Sequence, residues 1–241
     1  MRSLFLAGCL ILLAAFAASA QEPARKPADP ELDKIEALIR GAWQEFDRFT
    51  GAGGKPGDPN NPMGKWAVAL WEYRQQHTGT AAAARATSES VHFLIHAERV
   101  DEAFANADSV ALDDPAWKSL IGVVLEGATL KRNYDFLIRK ALSLLDGSKD
   151  AEVKVRAQFD LAQAYWKKDD SNRARAAFEK VIADYPDGPY AKEAEGNIYE
   201  IDLLNVGQPA PLFATKSSSG RPLSISEFRG KVVLLYFWAS W

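Results

Sequence analysis

The chain has 241 residues, 47% of them hydrophobic and 25% charged, which is the composition of an ordinary globular protein. That length allows one large domain or two modest ones, each with a real core. Lys and Arg number 29 against 32 Asp and Glu, a formal net charge of −3 with a pI near 5.7. No Lys/Arg-rich run breaks that balance, so no nucleic acid partner is expected.

The N-terminus reads as a targeting segment. Arg2 supplies a charge, Leu4 to Phe16 is apolar and uncharged, and Ala18-Ser19-Ala20 has the small-x-small pattern that signal peptidase cuts. The run is shorter than the roughly 20 apolar residues a permanent span requires. Residues 1–20 are therefore expected to be a cleaved secretory signal, which takes the mature net charge from −3 to −4 as Arg2 is lost. Leu6-Ala7-Gly8-Cys9 also matches a bacterial lipobox, but only Leu4, Phe5 and Leu6 precede it as a hydrophobic stretch. An apolar Cys within the signal is the preferred reading. The expectation is export to the periplasm or beyond, with no stable membrane span. Cys9 is the sole cysteine, so a mature chain has no disulfide and no thiol of its own.

Residues 21–29 form a polar, proline-bearing linker. Asp29 stands as a helix N-cap with Pro30 in the first helical position and Glu31 in the first turn. Leu32, Ile35, Leu38, Ile39, Trp43 and Phe46 recur at helical spacing, which predicts an amphipathic helix ending near Phe49. Thr50 to Gly64 is rich in Gly, Pro, Asn and Asp and reads as a loop. Its Gly53-Gly54-Lys55 lacks both the upstream Gly and the Ser or Thr of a phosphate loop, Pro56 standing in the latter place. Its Asp58-x-Asn60 fails as a calcium loop, because Gly64 comes one place late and Ala69 replaces the bidentate Glu. A connector is the expectation.

From Pro62 to Glu200 the pattern is helix after helix. Between Val155 and Gly188, Leu161, Ala162 and Tyr165, then Ala174, Phe178 and Pro186, match the spacing of the 34-residue tetratricopeptide consensus. Gln158 replaces the consensus Trp, and Val181 replaces a small residue of the second helix. Asp169-Asp170-Ser171-Asn172 is the predicted turn between the two helices. Weaker copies are expected to start at Ala81, Ala116 and Ala151, with second helices over Asp101–Ala107 and Tyr134–Leu145. One such unit cannot bury its apolar faces alone, so a short solenoid of stacked neighbours follows.

His92 and His96 lie four residues apart on a predicted helix, a spacing compatible with metal binding. No acidic residue lies between them in a zincin arrangement and His77 is not obviously near, so they are read as one face of a packed or partly exposed helix. Trp66, Trp71 and Trp117 are read as core anchors between helices.

Around Asn205 to Gly207 the helical pattern stops. Val206-Gly207-Gln208-Pro209-Ala210-Pro211-Leu212-Phe213 forces extended chain. Phe213–Thr215 and Pro222–Ser224 are predicted strands around the turn Ser217-Ser218-Ser219-Gly220, and Ser226-Glu227-Phe228 a short helical turn. Val232 to Phe237 is predicted to be a central parallel strand, apolar on both faces. The order Gly-x-x-Ala/Pro-Pro-x-Phe, Leu-Ser-x-x-x-Phe-Arg-Gly-Lys-Val-Val-Leu and Phe-Trp-Ala-Ser-Trp, running from Gly207 to Trp241, resembles the TlpA-like redoxin branch of the thioredoxin superfamily.

That resemblance implies a thiol–disulfide oxidoreductase working outside the cytoplasm. In such proteins a thiolate at a helix N-terminus attacks a disulfide and a second Cys resolves the mixed disulfide. It places the Cys-x-x-Cys pair directly after Trp241, so no catalytic residue is assigned within the chain, and no cofactor-binding or metal residue either. Both Cys codons differ by one base from UGA, which gives the expectation that the next codon is UGA, read as selenocysteine or created by mutation. A plain fragment and an assembly error stay open beside it.

The expected fold is mainly α: a tetratricopeptide-like helical domain over residues 30–204, then an incomplete α/β thioredoxin-like fragment, a β-hairpin plus one strand, over residues 205–241. The expected partner is a protein, or a disulfide-bearing protein substrate. The alternative function is a non-enzymatic interaction module.

Overall fold

The computed structural model describes residues 29–204 and 207–239. The expected signal over residues 1–20, its Cys9, the linker up to residue 28, and Trp241 lie outside the described residues.

Helix α1 (Pro30–Gly51) starts as its sequence predicts: the Asp29 carboxylate accepts from the backbone N–H of Glu31 at 3.1 Å and of Leu32 at 3.2 Å. It buries Ile35, Ile39 and Ala42, one stripe at helical spacing. The Asn61 side chain accepts from Met63 N–H at 2.9 Å and opens α2 (Pro62–Gln76). Thr80 caps α3 (Ala81–His96) by accepting from Ala83 N–H at 3.0 Å. α3 is buried along most of its length, from Ala82 to Ile95, because α1, α2, α4 and α5 all pack on it.

The chain continues through α4 (Val100–Asp108), α5 (Trp117–Lys131), α6 (Asp135–Gly147), α7 (Ala151–Lys167), α8 (Ser171–Asp184) and α9 (Ala191–Leu203). The expected repeat starts at Ala81, Ala116 and Ala151 fall at the heads of α3, α5 and α7, and α3 packs on α5 and α5 on α7. α4, α6 and α8 are the second helices of successive hairpins, as a stacked helical repeat requires. Among the described residues no helix is long and apolar enough to cross a membrane.

Two cores result. The larger runs from Ile35 in α1 through Phe93, Leu94, Trp117, Leu120 and Leu144 to Leu161 in α7. The smaller gathers Phe159, Phe178, Val181, Ala194 and Ile201 between α7, α8 and α9. Trp117 is fully buried, while Trp66 and Trp71 are half-buried and pack against the larger core from its edge. Asp170 caps α8 by accepting from Arg173 N–H at 3.1 Å, so the turn is residues 168–170, tighter than predicted, with Asp169 in the left-handed region at φ 60°.

After α9, β1 (Ala214–Lys216) pairs antiparallel with β2 (Pro222–Ser224), in the register Ala214 to Ser224 and Lys216 to Pro222. Gly220 adopts φ +82° in the connecting turn, and Ser217 N–H donates to Arg221 C=O at 2.8 Å. A 3₁₀ turn, Ile225–Phe228, follows with a capping box between Ser224 and Glu227. The predicted buried strand Val232–Phe237 is not formed: residues 232–239 carry no regular secondary structure, pair with no strand among the described residues and are exposed. A strand is held by ladder partners and by cover on its faces, and the described residues supply neither.

Candidate functional site

The resemblance sets its expected reactive pair directly after Trp241, which lies outside the described residues, so no described residue bears on it. The hairpin and the capped 3₁₀ turn form, whereas the strand expected over the apolar run Val232–Phe237 does not. That run presents Val232, Leu234, Tyr236, Phe237 and Trp238 to solvent at 76–102% of their full exposure. This is a contiguous apolar patch of the kind that marks an unmade interface.

A second constellation lies in the helical body. His92 and His96, four residues apart on α3, turn their Nε2 atoms towards each other at 3.1 Å. Glu126 of α5 completes the group, one carboxylate oxygen 3.3 Å from His92 Nε2 and the other 3.7 Å from His96 Nε2. These three residues offer ligand-type atoms within 4.8 Å of one another. His92 Nδ1 faces the carboxylate of Glu89 at 3.4 Å. Glu89 is buried and also accepts from Arg85, whose Nε reaches Glu36 at 2.7 Å. The Trp43 indole of α1 packs edge-on against both rings, with centroids 5.6 Å from His92 and 4.8 Å from His96.

Charge and burial compete at each member. Burial alone would lower the His92 pKa, but the Glu89 hydrogen bond and the two nearby carboxylates carry it above the usual imidazole value. His96 is driven below the usual value by burial and by the neighbouring His92. Burial opposes the Glu89 charge, yet His92 and Arg85 hold its carboxyl below the ordinary range.

The loop dismissed as a phosphate or calcium site closes over this region. Asn61 donates from Nδ2 to Pro56 C=O at 2.6 Å and to His96 C=O at 3.2 Å, tying the loop to the end of α3. A Cβ at Gly57 would lie 2.8 Å from a Glu98 carboxylate oxygen, so the loop backbone passes close to that residue. Between loop and helices lies a cleft of about 450 Å³ lined by Pro56, Ile95, His96, Glu98, Glu126 and Thr129, among others. His77 is elsewhere, stacked on Tyr73 with centroids 3.9 Å apart.

Glu126 is the member that the sequence reading missed. It stands one repeat of about 34 residues beyond His92, so the helical period was the available signal. An acidic residue between the two histidines would lie on the same helix, whereas the third group arrives from the neighbouring one.

The hairpin α7–α8 carries the consensus positions. Ala174 and Phe178 are fully buried, and Gln158, in place of the consensus Trp, is buried and donates from Nε2 to Ala177 C=O at 3.2 Å. The tetratricopeptide repeat family model matches residues 156–188. The body is thus a tetratricopeptide-like helical domain, of a class whose repeats commonly mediate protein–protein contacts. No curated protein and no solved structure matches the chain.

Proposed function

We propose that residues 30–204 are a protein-docking module of an exported protein and that residues 205–241 open a thioredoxin-like thiol–disulfide oxidoreductase domain, which the module brings to disulfide-bearing protein partners. The observation that supports this best is the apolar run 232–238. It follows the β1–β2 hairpin and the capped 3₁₀ turn, and its sequence is apolar on alternate and adjacent positions alike, as a strand covered on both faces requires, although no strand forms there among the described residues. The alternative is a purely non-catalytic docking module. It is favoured by Cys9 being the sole cysteine, which leaves residues 30–241 without a thiol.

The test compares two products of the same gene in an insulin-disulfide reduction assay: the 241-residue chain and the product including everything in frame beyond codon 241. The short product is expected to be inert and the longer one active. A longer product with no thiol or selenol pair and no exchange activity leaves only the docking module.

A further inference from the structure

We propose that Nε2 of His92, Nε2 of His96 and a carboxylate oxygen of Glu126 form a three-ligand site for a divalent transition metal of the zinc class, its fourth position facing the cleft lined by Pro56, Glu98 and Thr129. The separations fit. Zinc bonds of about 2.0–2.1 Å place two ligands of a tetrahedron about 3.3 Å apart. The two Nε2 atoms stand 3.1 Å apart, one Glu126 oxygen lies 3.3 Å from His92 Nε2 and the other 3.7 Å from His96 Nε2, so a small turn of the carboxylate brings one oxygen to the third corner of such a polyhedron.

Proton counting points the same way. The ionised Glu89 carboxylate can only accept, so His92 Nδ1–H donates to it, and in the neutral ring this leaves His92 Nε2 as an acceptor. With His92 in its neutral form, His92 Nε2, His96 Nε2 and the Glu126 oxygens converge with at most one proton, that of His96, among them. A cation bound by all three lone pairs satisfies them together. The Glu89–His92 contact is also the outer-sphere arrangement that fixes a ligating imidazole in one tautomer and orientation. Edge contacts from Trp43 to both rings, and from Phe46 to His96 at 5.9 Å between centroids, hold the rings in place.

The donor set selects the metal class. Two imidazoles and one carboxylate, with no sulfur, suit zinc, iron(II), cobalt, nickel or copper, and not the all-oxygen shells of calcium or magnesium. Three protein ligands leave one position free. His96 and Glu126 border the 450 Å³ cleft, so a water or a small anionic group entering it reaches that position.

Zinc is titrated calorimetrically into the full chain prepared without a polyhistidine tag, and cobalt is used for its visible absorption. One equivalent of zinc per chain is expected, with cobalt giving tetrahedral ligand-field bands that zinc abolishes. His96→Ala and Glu126→Gln should each weaken zinc binding at least tenfold, and Glu89→Gln about 10- to 100-fold by releasing His92. His77→Ala should leave it unchanged. Failure to bind one equivalent overturns the proposal, as does binding undiminished in His96→Ala and Glu126→Gln. Should those variants lose their helical circular dichroism, ring-proton NMR of the native chain decides. Zinc must shift His92 and His96 and spare His77, and any other pattern sinks the site.

Discussion

Arg156 Nε donates to Asp160 Oδ2 at 2.7 Å within one turn of α7, while Asp160 Oδ1 is buried without a hydrogen-bond partner among the described residues. Burial pushes the Asp160 carboxyl up to about 6 despite the adjacent guanidinium, with Glu193 adding to the rise. The folded state therefore binds a proton more tightly than the unfolded chain does. Its stabilising contribution is complete below the unfolded value of 3.8 and is lost as pH rises through about 6.

Asp160→Asn removes that titration. Urea unfolding at pH 4 and pH 7 should show the native chain losing stability relative to the variant by on the order of 2–3 kcal/mol as pH rises. A difference independent of pH would show that Asp160 titrates as an exposed carboxylate does.

His92 and His96 should titrate in two separated steps. His92, raised by Glu89 and Glu126 against its burial, keeps its proton to higher pH; His96, lowered by burial and by His92, gives its proton up first. Ring-proton NMR in chelator-treated protein reads both. Glu89→Gln should bring the His92 midpoint down towards that of His96, and an unchanged midpoint would remove Glu89 from the account.

Phe178 is fully buried in the second core, edge-on to Phe159 at 5.7 Å and to Trp166 at 6.4 Å between centroids. Phe178→Ala should cost about 3–5 kcal/mol in chemical denaturation, because the ring is lost and a cavity is left between α7 and α8. Leu130→Ala, on a side chain that is 54% exposed, should change stability by less than about 0.5 kcal/mol. Similar costs for both would mean that α7 and α8 do not enclose a core.

The exposed run 232–238 should make the 241-residue chain self-associate. Sedimentation velocity is expected to show concentration-dependent species that vanish in the double variant Leu234→Lys, Phe237→Lys, whose helical circular dichroism stays unchanged. Association that persists in that variant places the sticky surface elsewhere.

Most of the helical body was legible from local signals. Asp29, Asn61, Thr80, Asp150 and Asp170 each cap the helix that follows, and a cap acts over three or four residues, a range that sequence displays directly. The β1–β2 hairpin was legible for the same reason, since Gly220 supplies the positive φ that its turn requires. The segment 232–238 misled because a run of Val, Leu, Tyr, Phe and Trp states only a preference for burial. Whether a strand forms depends on partners that lie elsewhere.

The sequence by itself determined the helices, their caps and a repeat of about 34 residues, because these rest on neighbours within a turn or two of chain. It carried the 34-residue offset between His92 and Glu126, but not the contact between them. That was decided by α3 packing on α5, which sets Glu126 within 3.3 Å of His92, and by Trp43 of α1 closing on both rings. Contacts between groups distant in sequence are made only when the solenoid stacks, and the His92–His96–Glu126 cluster is one of them.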